Sequence, residues 1–401
     1  CCAETATASD AMNPPGDLSY ILNHLGEERG QYANAAVPPI WQSSLYAAPT
    51  VAAMRAAIAD DLDQHFYTRG NNPTVAILRR KLAALEGAED ALLFGSGAAA
   101  VAAGVLASVR AGDHVLGVQK PYAWTRTLLQ RMLPRLGVTT SLVDARDPAV
   151  VAAALRPETR LVVLESPNSM TFEQQDLGAI AVLARERGIR TLADNSYATP
   201  LGQSPLALGI DMVVHSGTKY LSGHADAMVG ALCASKAIVR EVFEGPYMTL
   251  GAVLSPHDAW LVLRGLRTLP LRLERMAATA GRVVDFLAAH RRVRRVYYPQ
   301  AADYPQPGLT KRQLRHANGL LSIDLDTDIA GVERFCDGLE RFLMAASWGG
   351  YESLAFPVCG VRDWRGHEHQ LGVPVTLVRL SIGLEEPEVL IADLAQALDR
   401  I

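Results

Sequence analysis

Residues 211–226 read DMVVHSGTKYLSGHAD. A short apolar run of strand character breaks into Ser216, Gly217, Thr218 and Lys219. In open α/β sheets ligands bind beyond the carboxyl ends of the strands. A lysine at that boundary is therefore a candidate for chemistry as well as for the surface, and its surroundings decide between the two.

Those surroundings alternate. ALLF (91–94), HVLGV (114–118), TTSLVD (139–144), RLVVLE (160–165), RTLADN (190–195) and MVGALC (228–233) are short apolar runs. Helical stretches separate many of them: AAAVAAGVLASV (98–109), RTLLQRMLPRLG (126–137) and LGAIAVLARERG (177–188), the last two closed by a glycine. Strands regularly separated by helices predict crossover connections and a mostly parallel sheet covered on both faces. Residues 1–60, rich in Ala, Pro and Ser and broken by NPPG and VPPI, predict an arm. DQHFYTRGNNPT (63–74) reads as an ordered loop whose Asn72, Pro73 and Thr74 start a helix with Leu78, Leu82 and Leu85 on its buried stripe. Residues 257–289 predict one or two long helices, with Leu261, Leu263, Leu266 and Leu269 apolar. LLSIDL (320–325) and TLVRLSI (376–382) predict strands of a smaller α+β unit. The expected organisation is an N-terminal arm over 1–62, a large domain over 63–264 and a C-terminal small domain over 265–401.

Composition excludes several classes. The chain has 401 residues, 49% hydrophobic and 20% charged, with a net charge of -4. That is an ordinary globular balance without the basic field that nucleic acid requires. HRRVRR (290–295) reads as an exposed helix end. Five cysteines, none in a CxxC pair, fit a reducing cytoplasm and no disulfide scaffold. Cys1 and Cys2 read as a chain start left by processing or truncation. Residues 91–109 carry no charge, but their early GSG predicts strand, turn and helix, not a membrane span, and no basic, hydrophobic leader precedes them. No metal-ligand cluster, P-loop or dinucleotide fingerprint is present.

Three polar residues close consecutive strands: Glu165 after LVVL, Asp194 after TLA and Ser216 after MVVH. A fourth loop, Ser96-Gly97-Ala98, follows ALLF and opens a helix whose amides can hold an anion. Ser216 and Thr218 can add hydroxyl hydrogen bonds. Lys219 beside a phosphate site predicts a Schiff base with pyridoxal phosphate, with Asp194 on the ring nitrogen and Tyr122, from PYAW, on the ring face. His215 and His224 read as structural.

YTRGNNPT, FGSGAAA, ESPNS, DNSYATP, SGTKYLSGHAD and TLVRLSIGLE occur in this order. With them the chain resembles the Cys/Met-metabolism family of pyridoxal-phosphate enzymes from about Val37 onward. SWGGYESL (347–354) and ESPNSMTFEQQD (165–176) make it look closest to the bacterial cystathionine β-lyase branch. The resemblance implies an aminotransferase-like large domain (fold type I), a smaller C-terminal domain, and homodimers with shared active sites paired into tetramers. It implies that Lys219 forms the imine and moves the Cα proton, that Asp194 binds the pyridine nitrogen and that Tyr122 stacks on the ring. Gly97, Ala98, Ser216 and Thr218 would hold the phosphate, completed by Tyr67 and Arg69 of the neighbouring subunit. Arg379, with Ser347 and the Trp348 backbone, would bind the substrate carboxylate. Ser169 stands where many family members have asparagine, and FPVCGVRDWRGHEHQLG (356–372) looks unusual beside its flanks.

The reaction so expected is a β-elimination in trans-sulfuration. The Cβ–S bond of L-cystathionine, or of a related cystine or cysteine-conjugate substrate, breaks to a thiol, pyruvate and ammonia. The alternative inside the family is γ-replacement or γ-elimination on an activated homoserine or methionine. A non-enzymatic descendant of the fold is the alternative outside it.

Overall fold

The structure, a computed structural model, describes residues 16–361 and 372–401. Cys1, Cys2 and most of the unusual 356–372 stretch lie outside the described residues. Seven strands form the main sheet: β1 (Asp90–Phe94), β2 (His114–Val118), β3 (Thr139–Val143), β4 (Thr159–Glu165), β5 (Arg190–Asp194), β6 (Met212–Ser216) and β7 (Gly230–Ala234). Their order is β1-β7-β6-β5-β4-β2-β3, and only β7 runs against its neighbours. Every residue of β2 and β7 is buried, which is why these runs lack polar alternation.

The helix Gly97–Ser108 packs on one face through Ala100, Val101, Ala103 and Val105. The helix Pro73–Glu86 begins on Asn72, whose side chain accepts the Thr74 amide at 3.0 Å, and ends on Gly87 at φ 69°. Leu78 and Leu82 of its stripe are fully buried. The long helical stretch resolves as two helices, Pro256–Leu266 and Leu269–Ala288.

The second sheet is β8 (Val293–Tyr297), β9 (Leu320–Leu325), β10 (Leu343–Met344), β11 (Leu354–Pro357) and β12 (Leu377–Ser381), ordered β10-β11-β12-β9-β8. It is antiparallel except between β10 and β11. The large mostly parallel sheet and this smaller α+β unit are the aminotransferase-like, fold type I architecture. HRRVRR differs from expectation. The preceding helix ends at Ala288, and Val293, Arg294 and Arg295 already belong to β8. Arg294 pairs with Asp324 at 3.1 Å and Asp326 at 2.8 Å, so cross-strand carboxylates explain part of the basic run.

The arm-side residues are tied down by a buried charge cluster. Glu27 accepts from Lys81, Arg29 and Arg267, each at 3.1 Å. Lys81 also donates to the carbonyls of Ile21 at 2.8 Å and Leu22 at 3.0 Å. In contrast, the helix Val51–Ala59 buries none of its residues. No described helix is long and apolar enough to cross a membrane.

Candidate active site

Because β1, β4, β5 and β6 are parallel to one another, their carboxyl ends share one edge. The first residue of the reversed β7, Gly230, reaches the same edge opposite Ser216 and Phe94. A Cβ on Gly230 would stand 2.0 Å from the Ser96 carbonyl oxygen, and one on Gly97 would stand 2.7 Å from the Ser216 Cα. Two bare glycines therefore let the Ser96-Gly97 turn close onto β6 and β7. Ser96 caps the helix, its hydroxyl accepting the Ala99 amide at 3.2 Å. The first-turn amides of Gly97 and Ala98 have no earlier carbonyl in the helix and face the edge as anion donors.

Lys219 lies in the loop after β6, behind Gly217 and Thr218. Its amine donates to Ser347 Oγ at 2.6 Å and stands 5.6 Å from the centre of the Trp348 ring. Burial and the nearby Arg379 guanidinium push the amine down to about 8, against a smaller opposing pull from Asp194. Ser347 sits at φ 78°, a left-handed conformation that sends its side chain and carbonyl to different partners. While Oγ takes Lys219, the carbonyl accepts from Arg379 Nη2 at 3.2 Å. Arg379 Nη1 reaches the Ser169 carbonyl at 3.2 Å and lies 3.6 Å from Met170 Sδ, and the guanidinium stands 5.0 Å over the Phe356 ring. This arginine is 8% exposed, and burial pushes it down to about 10.

Asp194 ends β5 in an Asx-type turn, its Oδ1 accepting the Ser196 amide at 2.9 Å. Burial raises its carboxyl, while Ser196, His215 and Lys219 pull the other way. Tyr122, half exposed, senses Asp194, Glu165 and Arg379, and its phenol is raised by burial first and by the two carboxyls next. Ser216 donates its amide to Ser196 Oγ at 2.6 Å. The Thr218 hydroxyl is engaged with Val229, accepting its amide at 2.9 Å and donating to its carbonyl at 3.3 Å. His215 is buried against Glu86 at 2.5 Å. His224 turns to the Ser222 carbonyl at 2.8 Å.

Lys219, Asp194, Tyr122, Ser347, Trp348 and Arg379 thus come together with the Gly97-Ala98 amides and Ser216. Tyr67 and Arg69 stand apart. Arg69 lies 5.5 Å over the Tyr67 ring, and among the described residues no hydrogen bond links either to the Lys219 cluster. Three participants have no assigned role in the sequence reading: Ser196, the Ser169-Met170 backbone and sulfur, and Glu165 as a double acceptor. Only the Asp-Asn-Ser spelling of the turn carried a signal, for Ser196.

The donors fit pyridoxal phosphate. A helix start closed by two bare glycines offers amides to a phosphate, a depressed amine stands in the loop after β6, and a buried carboxyl ends the neighbouring strand β5. These features define a pyridoxal-phosphate enzyme of fold type I. The family profile described as Cys/Met metabolism PLP-dependent enzyme matches residues 20–399, and the chain belongs to that family. It is a pyridoxal-phosphate-dependent enzyme of carbon–sulfur chemistry.

Among its relatives, an L-methionine gamma-lyase of Pseudomonas putida is 38% identical over 96% of this chain and 97% of that one. A cystathionine gamma-synthase of Mycobacterium bovis is 36% identical over 99% of this chain and 100% of that one. The crystal structure of metB from Corynebacterium glutamicum superposes with a TM-score of 0.91 at 31% identity, covering 96% of this chain and 99% of that one.

These relatives overturn the expected cystathionine β-lyase branch, the Cβ–S cleavage and the trans-sulfuration role attached to it. The misleading stretches have a packing reason. Trp348 lies edge-on to Tyr220 at 5.3 Å, and Gly349, at φ 83°, would place a Cβ 2.9 Å from the Tyr220 amide. Asn168 Oδ1 accepts the amides of Met170 at 3.0 Å, Thr171 at 2.9 Å and Phe172 at 3.1 Å. SWGG and ESPNS thus build the loops around Lys219 and Arg379, a task indifferent to which carbon loses its substituent.

Proposed function

We propose that the enzyme breaks or exchanges the bond between Cγ and its heteroatom in a sulfur-containing L-amino acid, with γ-elimination from a methionine-like thioether as its leading reaction. The observation that carries this reading is the end-to-end likeness to L-methionine gamma-lyase, with cystathionine gamma-synthases close behind.

Bound pyridoxal phosphate supplies the electron sink. Asp194 would hold its ring nitrogen and Tyr122 its ring face. The Gly97 and Ala98 amides, with Ser216, would hold the phosphate, and Thr218 would join by releasing the Val229 carbonyl. Arg379, locked between the Ser169 and Ser347 carbonyls, presents its guanidinium to the substrate carboxylate. Lys219, lowered to about 8, is an effective base near neutral pH and takes the Cα proton. Loss of a Cγ substituent needs a second proton removed, from Cβ, and Lys219 would serve there as well once it has given up the Cα proton and is a free amine again. The Tyr122 phenol, held protonated by burial, donates to the departing sulfur.

The arm supports a homodimer, paired into tetramers, in which Tyr67 and Arg69 complete the phosphate site of the neighbouring subunit. Val51, Met54 and Ile58, on a helix with no buried residue, are the apolar surface available to such a partner. Cys233, Cys336 and Cys359 are unpaired thiols, which supports a reducing cytoplasm.

Product analysis tests the chemistry. L-methionine should yield methanethiol and 2-oxobutyrate, and L-cystathionine should yield cysteine and 2-oxobutyrate. Pyruvate with homocysteine from cystathionine would overturn the γ assignment.

A further inference from the structure

Glu165 has no role in the reading above, yet it touches both halves of the site. It ends β4, directly opposite Asp194 in the register of β5, and is 7% exposed. Among the described residues no lysine, arginine or histidine pairs with it. Burial, and then Asp194, push its carboxyl up, while the hydrogen bonds from Tyr122 and Ser169 pull it down. Two oxygens are committed in this costly place. Oε2 accepts the Tyr122 amide at 2.5 Å, and Oε1 accepts the Ser169 amide at 3.1 Å. The Ser169 carbonyl in turn accepts from Arg379 at 3.2 Å. A glutamine offers one acceptor and would turn an NH2 group toward the other amide.

We propose that Glu165 is a positioning residue that sets the spacing between the ring-facing Tyr122 and the carboxylate-binding Arg379 by gripping the Tyr122 and Ser169 amides with one carboxyl group. The proposal rests on the reading of Arg379 as the substrate-carboxylate site. It does not depend on which carbon–sulfur bond breaks.

The test compares L-norleucine with pentylamine, the same molecule without its carboxylate, each titrated into holoenzyme by the absorbance change of the bound cofactor. The parent enzyme should prefer norleucine. Glu165→Gln should lose about tenfold of that preference, the size of one buried hydrogen bond near a charge. In Glu165→Ala, added formate should restore part of the preference, because its two oxygens can take both amides, and chloride at the same ionic strength should not. If Glu165→Ala does not fold, the glutamine variant decides alone. Equal weakening of both ligands would show a merely structural residue and overturn the proposal, as would an unchanged preference or a formate effect matched by chloride. No preference in the parent enzyme would remove the carboxylate reading of Arg379 and the proposal with it.

Discussion

A lysine held beside a buried guanidinium has little reason to keep its proton. Burial first and Arg379 second set the Lys219 amine near 8. In cofactor-free protein, the rate of imine formation with a small aldehyde should therefore rise with pH and level off just above about 8, where an ordinary lysine would keep rising toward about 10.5. The same shift fixes the sign of a stability effect. Between the folded and the unfolded pKa the unfolded chain holds one proton more, so Lys219 adds stability as pH rises through that window. Lys219→Met in cofactor-free protein should lose this alkaline gain, and denaturant midpoints across pH 7.5 to 10.5 would measure it. A midpoint slope identical in both proteins would place the amine in water. The hydrogen bond to Ser347 could not be foreseen from the chain, because 128 residues separate the partners and the left-handed Ser347 has no local spelling.

At the scale of elements, the seven strands of the main sheet and their order of appearance were legible because most are short apolar runs between turn residues, whereas β8, β10 and β11 of the second sheet were not. HVLGV and LLSIDL coincide with β2 and β9. The direction of β7 was not legible, since a strand buried on both faces carries no side-chain mark of its polarity. That direction matters, because it delivers Gly230 to the active edge. Gly230→Ala would drive a methyl group into the Ser96 carbonyl, forcing the Ser96-Gly97 turn outward. The expected result is loss of cofactor affinity by tenfold or more, roughly 1.4 kcal/mol, with the fold retained, read by equilibrium titration with pyridoxal phosphate. Unchanged affinity would mean that the turn does not shape the phosphate site. Elsewhere, the cluster around Glu27 joins the arm to two helices. Glu27→Ala strands Lys81 in the core and should cost about 3–5 kcal/mol in urea unfolding. Replacing the pair together, Glu27→Leu with Lys81→Met, should recover much of that loss. The cluster was invisible in sequence, where Glu27, Lys81 and Arg267 are unremarkable charges far apart.

For the whole molecule, the two-domain architecture and the cofactor were readable, while the branch of the family was not. Its cues came from loops that pack around Lys219 and Arg379. Assembly is the remaining question at this scale. In the isologous dimer proposed above, a site would take Lys219 from one chain and Tyr67 with Arg69 from the other. Mixing Lys219→Ala protein with the Tyr67→Phe, Arg69→Ala double variant, then unfolding and refolding both together, should restore about a quarter of parental activity, since half of the dimers are mixed and each holds one intact site. Failure to complement would place the whole site in one chain.

The reversed β7 has a mechanical consequence. The loop carrying Lys219 departs from one core strand and returns along the next, so both of its ends are moored in the same rigid sheet. Ser347 and Arg379 hang from the other sheet. In cofactor-free protein, breathing of one lobe against the other would stretch the contact between amine and hydroxyl together with the bond from Arg379 to the Ser169 carbonyl. Motion between the lobes is thus felt at the amine itself, through a hydroxyl carried by the opposite sheet.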